Sequence, residues 1–252
     1  MAQHFLDLPD AATLDTRQFQ LTARIVTDLV KHNAMGVVHG PAGTGKTYAV
    51  EDALEQTAAA TTVVYSAMAF QSKPTMLQVQ QEIALAVTGS KPPRSYNRYD
   101  LARMLTELLA GPQRLLVIDE AQRLNGDCLE TIRHLHDHRD TRFALLYVGG
   151  DSCWEVLSKE PMFRSRVFRR LPFQPIKPPS VPGLIRRFHP IYAQATDQVL
   201  TDIDTRFAHG NLRDWAVFTH TAAALCDEHH RPHIDPDVIA NTYALLGGGI
   251  SD

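Results

Sequence analysis

Apolar residues recur along this chain in two alternating patterns. Between Asp15 and His32 they fall at Phe19, Ala23, Val26 and Val30, which predicts an amphipathic helix. Met35 to His39 (MGVVH) is a short apolar run ending at a glycine, as a strand buried on both faces is. Gly45 to Ala59 then predicts a helix and Thr61 to Ser66 (TTVVYS) a second strand. Pro74 to Val87 and Tyr99 to Ala110 predict two helices joined by the loop GSKPPRSYNR. Arg114 to Ile118 predicts a third strand, Asp127 to His138 a helix, Phe143 to Val148 a fourth strand and Val167 to Leu171 a short fifth. Strands alternating with helices predict an α/β fold with a parallel five-stranded sheet covered on both faces.

The pattern changes after residue 171. Pro172 to Gly183 (PFQPIKPPSVPG) holds five prolines, which propagate neither a helix nor a central strand, so it marks a domain boundary. Beyond it Leu184 to Gln194, Asp197 to Ala208, Leu212 to Cys226 and Pro236 to Leu246 all have helical spacing. The expected organisation is an N-terminal tail (1–14), an α/β core (15–171), a proline-rich linker (172–183), a helical lid (184–246) and a C-terminal tail (247–252). Both tails are expected to be mobile.

The most specific chemistry lies where the first strand meets the second helix. Gly40-Pro41-Ala42-Gly43-Thr44-Gly45-Lys46-Thr47 satisfies GxxxxGK[ST] between a predicted strand and a predicted helix, the context in which that pattern signifies a phosphate-binding loop. Glycines let the backbone curl so that successive N–H groups point inward at phosphate oxygens, and the helix adds its positive end at the same spot. Lys46 supplies a point charge for the β- and γ-phosphates of ATP, and Thr47 a hydroxyl for Mg²⁺. The third strand carries the partner motif, LLVIDEAQ, from Leu115 to Gln122. Its two acids follow four buried positions at the carboxyl end of a strand, where open α/β sheets bind ligands. Asp119 is the candidate for Mg²⁺ and Glu120 the candidate that polarises the attacking water.

Charge building up on a departing γ-phosphate needs arginine or its equivalent. Phe163 to Arg170 (FRSRVFRR) holds four arginines before the last strand, and Arg164 and Arg166 are the candidates to reach a nucleotide on a neighbouring subunit. Gly210-Asn211-Leu212-Arg213 opens a helix of the lid, and Arg213 is the candidate to close over the nucleotide in the same chain.

Composition excludes several alternatives. Apolar residues make up 44% and charged residues 21% of 252, which places the chain among ordered globular proteins. A net charge of −3 gives no overall basic signature, so any nucleic-acid contact must rest on local patches. Cys128, Cys153 and Cys226 are far apart and form no CxxC pair, which predicts buried reduced thiols. The first residues lack a signal-peptide pattern and no window is long and apolar enough to span a membrane, so a cytoplasmic protein is expected.

Taken together, the phosphate loop, the DEAQ-type motif, the arginine pair and GNLR in a helical lid resemble the AAA+ ATPases of the initiator and transposition-helper branch. IDEAQRL, LETIRHLHD (Leu129 to Asp137) and ALLYVGGD (Ala144 to Asp151) resemble more closely the transposition regulators of the TniB/TnsC type and the phage Mu B protein. The resemblance covers about Thr16 to Leu246 and implies an AAA+ three-layer core with a small helical lid. It makes Lys46 and Thr47 phosphate and metal contacts, Asp119 and Glu120 metal and water contacts, Arg164 or Arg166 a finger acting in trans, and Arg213 a second sensor. It implies ATP-dependent homo-oligomers, rings or helical filaments, on double-stranded DNA, and a transposase as partner. Lys73, Lys91, Arg94 and Arg98 are the local basic residues for phosphate contact. One departure stands out. Family members place a polar first-sensor residue after the fourth strand, where this chain has Val148-Gly149-Gly150-Asp151. That gap implies slow hydrolysis or a switch-like use of ATP, hence a nucleotide-gated scaffold as an alternative. A secretion ATPase of the ExeA type shares the core, but a peptidoglycan-binding or membrane segment is expected with it.

Overall fold

A computed structural model describes residues 8–60, 64–69 and 72–247. Five strands form one sheet: β1 (Met35–His39), β2 (Val64–Ala69), β3 (Arg114–Asp119), β4 (Phe143–Gly149) and β5 (Val167–Pro172). Their order is β2-β3-β4-β1-β5 and every pairing is parallel. The predicted five-stranded parallel sheet is therefore the observed one. The second strand begins at Val64 in the described chain, and the predicted start at Thr61 lies outside the described residues.

β1 and β4 are buried along their whole length, which explains their unbroken apolar runs. One face of the sheet carries Met35, Val37, Leu116, Ile118, Phe143, Leu145 and Tyr147. These pack against α3 (Met76–Thr88), α4 (Arg98–Leu109) and α5 (Gly126–Asp137) through Val79, Ile83, Leu105, Leu109, Ile132 and Leu135. Both α3 and α4 start with a capping box, Thr75 with Gln78 and Asn97 with Asp100. α1 (Arg17–His32) lies against β1 so closely that a side chain at Gly36 would come within 2.7 Å of Leu29 Cδ1. α2 (Lys46–Ala60) follows the phosphate-type loop and buries Ala49, Val50, Ala53 and Leu54. Two short helices missed by periodicity, α6 (Cys153–Leu157) and α7 (Pro161–Arg164), carry the chain from β4 to β5. All three cysteines are buried free thiols.

By contact the chain divides into two units. One comprises Gln20–Ala42 and Ala49–Phe173; the other comprises Gly43–Tyr48 with the stretches 8–19 and 174–247. In the second unit, α8 (Val181–Phe188), α9 (Asp197–Ile203), α10 (Leu212–Glu228) and α11 (Pro236–Leu245) surround a core of Ile185, Tyr192, Leu200, Trp215 and Phe218. The helix predicted from Leu184 to Gln194 begins earlier and ends at Phe188. Pro182 is compatible with a first turn, whereas Pro190 has no N–H to continue one. The helix predicted to reach Ala208 gives way at Asp204 to a single π-turn. The N-terminal tail also differs from expectation from residue 8 onward. Leu8 is buried in the helical core with Ala11 and Leu14 against it, and Ala12 N–H donates to Phe188 O at 2.8 Å. Residues 1–7 and 248–252 of the predicted tails lie outside the described residues.

At the end of α5, Asp137 is held by two arginines. Arg133 Nη1 lies 2.7 Å and Arg166 Nε 2.8 Å from Asp137 Oδ2. Burial pushes the Asp137 carboxyl up, but the hydrogen bonds and charges of Arg166 and Arg133 outweigh it and leave the group below the usual aspartate range. A depressed folded-state pKa stabilises the fold above the unfolded value, about pH 4, and that contribution is lost as pH falls through the folded value. Asp137→Asn should therefore cost up to about 1 kcal/mol at pH 7, the scale of a partly exposed ion pair, and the difference from wild type should shrink as pH falls below about 4. Denaturant titrations across that range measure it; a constant difference would rule out the ion-pair account.

Candidate functional site

β1 delivers the chain to the glycine-rich loop at the carboxyl edge of the sheet. His39 pairs in register with Gly149 of β4, and Ile118 of β3 with Tyr147, so the loop and the two acids after β3 start from the same edge. Gly40 turns away from the strand at φ 146, where a Cβ would lie 2.3 Å from Phe173 O. Phe173 N–H in turn donates to His39 O at 2.7 Å, so the end of β5 sets the exit direction of β1. Pro41 and Ala42 complete the part of the loop that belongs to the sheet unit.

The remainder, Gly43–Tyr48, belongs to the helical unit. Gly43 has φ 78 and Gly45 φ 87, conformations that L side chains resist; together they curl the backbone around Thr44. α2 begins at Lys46 with no acidic residue in its first turn, so the positive end of the helix meets no acid of its own there. Thr44 is buried, Lys46 half-buried and Thr47 exposed. The helix α10 closes on this segment. Asn211 Oδ1 caps it by accepting from Arg213 N–H at 2.9 Å, and the same N–H donates to Gly43 O at 3.0 Å. A Cβ at Gly43 would fall 2.1 Å from Asn211 Oδ1, and one at Gly45 would fall 3.2 Å from Leu212 Cδ1. The structure thus brings Gly43, Gly45 and the GNLR turn together, with the Arg213 side chain exposed.

Asp204 fixes the GNLR turn from behind. Its buried carboxylate accepts from Gly210 N–H at 2.7 Å and from Trp215 Nε1–H at 2.9 Å. The π-turn that ends α9 puts it there, and such turns recur at functional sites. Nothing in the local sequence singled out Asp204, because both partners become neighbours only when α9 and α10 fold back together.

On the sheet unit, the acidic pair is tightly built. Asp119 ends β3, where it pairs with Ala69 of β2, and its Oδ1 accepts from Glu120 N–H at 2.7 Å. Glu120 has left-handed backbone angles, φ 53 and ψ 36, a strained choice for a residue with a side chain. Its Oε2 accepts from Gln122 Nε2 at 2.8 Å and lies 3.4 Å from Arg123 Nε. Gly149 and Gly150 bring no side chain to this edge, but Gly150 N–H donates to Gln122 Oε1 at 3.0 Å. Asp151 is exposed.

The two candidate finger arginines have different surroundings. Arg166 binds Asp137 through Nε, at 3.0 and 2.8 Å from its two oxygens, and donates from Nη1 to Met162 O at 3.1 Å. Arg164 closes α7 with its side chain exposed, and among the described residues its guanidinium has no ion-pair partner. Lys73, Lys91, Arg94 and Arg98 are exposed as well. Lys91 and Arg94 fall on the segment joining α3 to α4, together with exposed Tyr96; Arg98 opens α4, and its guanidinium sits over the exposed Tyr99 ring at 4.6 Å.

A family model described as an AAA domain matches residues 28–157, which span β1, the glycine-rich loop, the acidic pair and β4. Over 122 residues the chain is 29% identical to the Mu-like prophage FluMu DNA transposition protein B of Haemophilus influenzae. That match covers 48% of this chain and 40% of the relative, so it spans less than half of that protein's length. Among solved structures, Cdc6p of Pyrobaculum aerophilum matches with a TM-score of 0.75 at 22% identity, covering 96% of this chain and 70% of that one. The Aeropyrum pernix ORC1 protein in complex with DNA matches with a TM-score of 0.67 at 18% identity, covering 95% and 67%. At these identities the structural likeness establishes the fold. Among the described residues, no helix is long and apolar enough to cross a membrane.

Proposed function

Because this chain belongs to the AAA domain family, we propose that it is an ATP-dependent regulator of DNA transposition, which oligomerises on double-stranded DNA and recruits or activates a transposase. The observation that carries the nucleotide half is the loop itself: two glycines in left-handed backbone, a helix start without acids, and a lid helix hydrogen-bonded to Gly43. The transposition half is supported by the likeness to the Haemophilus influenzae transposition protein B.

In this reading Gly40 to Thr47 cradle the phosphates and Lys46 neutralises the β- and γ-oxygens. The oxygen donors of Thr47 and Asp119 suit Mg²⁺, which when bound neutralises charge on the phosphates. Glu120 orients and polarises the water that attacks the γ-phosphorus as the bond to the β-phosphate oxygen breaks. Arg164 is the finger offered to the neighbouring subunit, since Arg166 is already engaged by Asp137. Arg213 serves the nucleotide of its own chain. Lys73, Lys91, Arg94 and Arg98 contact DNA phosphates, which gives salt-sensitive, sequence-tolerant binding.

Electron microscopy with duplex DNA tests the reading. Assemblies on DNA are expected with ATP, are expected to vanish without it, and are expected to be absent for Lys46→Ala. Nucleotide-independent coating of DNA by wild type would defeat the proposal. A second reading, a nucleotide-gated scaffold with little hydrolysis, draws support from the bare Gly149-Gly150 end of β4. It predicts the same assemblies with negligible phosphate release.

A further inference from the structure

Gln122 has no role in the reading above, yet its amide joins two parts of the sheet edge. The short turn Ala121–Arg123 is pinned by Ala121 and Leu124, both buried in the sheet core, so the direction of the side chain between them is set by the fold. The amide of Gln122 has one acceptor end and one donor end. Its oxygen takes the Gly150 N–H at 3.0 Å, which leaves its nitrogen facing Glu120 Oε2 at 2.8 Å. Reversing the amide would set donor against donor at Gly150 and oxygen against oxygen at Glu120.

Gly149 explains why the amide fits. A Cβ there would lie 2.4 Å from Gln122 Oε1 and 2.6 Å from Cys153 Sγ, so any side chain would push the amide away from β4. The bare end of β4 thus makes room for a polar group from the turn after β3. Glu120 is otherwise restrained through its backbone, by Asp119 Oδ1 and by Arg123 N–H to Glu120 O at 2.9 Å. Its other side-chain contact, Arg123 Nε at 3.4 Å, is long and joins two side chains about 40% exposed, which makes it weak.

We infer that Gln122 is a positioning residue that fixes the Glu120 carboxylate against the end of β4, and that Gly149 is glycine to admit it. The inference rests on the reading of Glu120 as the group that polarises water. A carboxylate free to swing by about 1 Å loses up to about a hundredfold in rate without any change in nucleotide contacts.

The test uses steady-state kinetics with DNA present, nucleotide affinity by a fluorescent ATP analogue, and thermal melting as a control. Gln122→Ala should lower kcat by about tenfold to a hundredfold, with KM and the analogue Kd changed less than about twofold. Gln122→Glu keeps the shape but loses the donor, and should show the same split. Gly149→Ala should show it too, and adding Gln122→Ala to Gly149→Ala should cost little more, because both act on one contact. Glu120→Gln distinguishes the two levels. Unchanged or raised kcat in both Gln122 variants, with Glu120→Gln inactive, overturns the positioning role and leaves the Glu120 reading intact. An active Glu120→Gln overturns both.

Discussion

Replacing Glu120 with Gln should stop turnover while leaving nucleotide binding in place. The loss expected for a group that polarises the attacking water is about a hundredfold to ten-thousandfold in kcat. Affinity for ATP should stay within about twofold, because the phosphates are assigned to Gly40–Thr47 and the metal to Thr47 and Asp119. Phosphate release measured beside fluorescent-nucleotide binding separates the two quantities. Since DNA assembly is attributed to bound ATP rather than to its hydrolysis, Glu120→Gln should form assemblies that persist longer than those of wild type. A variant that hydrolyses ATP at the wild-type rate would remove Glu120 from the mechanism. One that no longer binds ATP would make it a structural residue. The backbone of Glu120, at φ 53, is the reason to use the isosteric replacement, because a shorter or branched side chain alters the turn as well as the chemistry.

The second large effect separates Arg164 from Arg166. Arg164→Ala should lower kcat by about a thousandfold, the scale of a missing arginine finger, with little change in melting temperature. Arg166→Ala should do the reverse. It loses its two contacts to Asp137 and the one to Met162 O, so melting should fall by a few degrees while turnover in folded protein changes little. Action in trans has its own signature. Arg164→Ala and Glu120→Gln subunits are each inactive alone, but mixed together they form junctions with an intact Glu120 on one side and an intact arginine on the other. Activity recovered on mixing supports the finger, and none recovered with assembly intact excludes it.

The features legible in the sequence are those held by near neighbours. β1 was bounded at Met35–His39 by its apolar run and the glycine that follows, and the loop by a motif eight residues long. The acidic pair was marked by its place at the end of a buried strand. What escaped depends on partners distant in sequence. Arg164 and Arg166 stand two residues apart in one basic run, and the ion pair that sets Arg166 apart comes from Asp137, 29 residues earlier. Gln122 takes its second contact from Gly150, 28 residues later. The same holds for helix ends. Asp204 leaves the α-helical pattern to receive Trp215 and Gly210, and that preference exists only once α10 is in place. Gly149 and Gly150 leave the end of β4 without a side chain, and the Gln122 amide, from the turn after β3, accepts the Gly150 N–H there.

The packing of the two aromatic indoles has a practical consequence. The chain has two tryptophans, and they fall one in each unit. Trp215 is fully buried with its ring nitrogen bound to Asp204, while Trp154 is half-buried with the Arg170 guanidinium 4.4 Å from its ring. An indole sealed in an apolar core and one stacked with a cation differ in emission and in access to quenchers. Each half of the molecule therefore carries its own optical label, and unfolding or ligand response can be assigned to one half without attaching a dye.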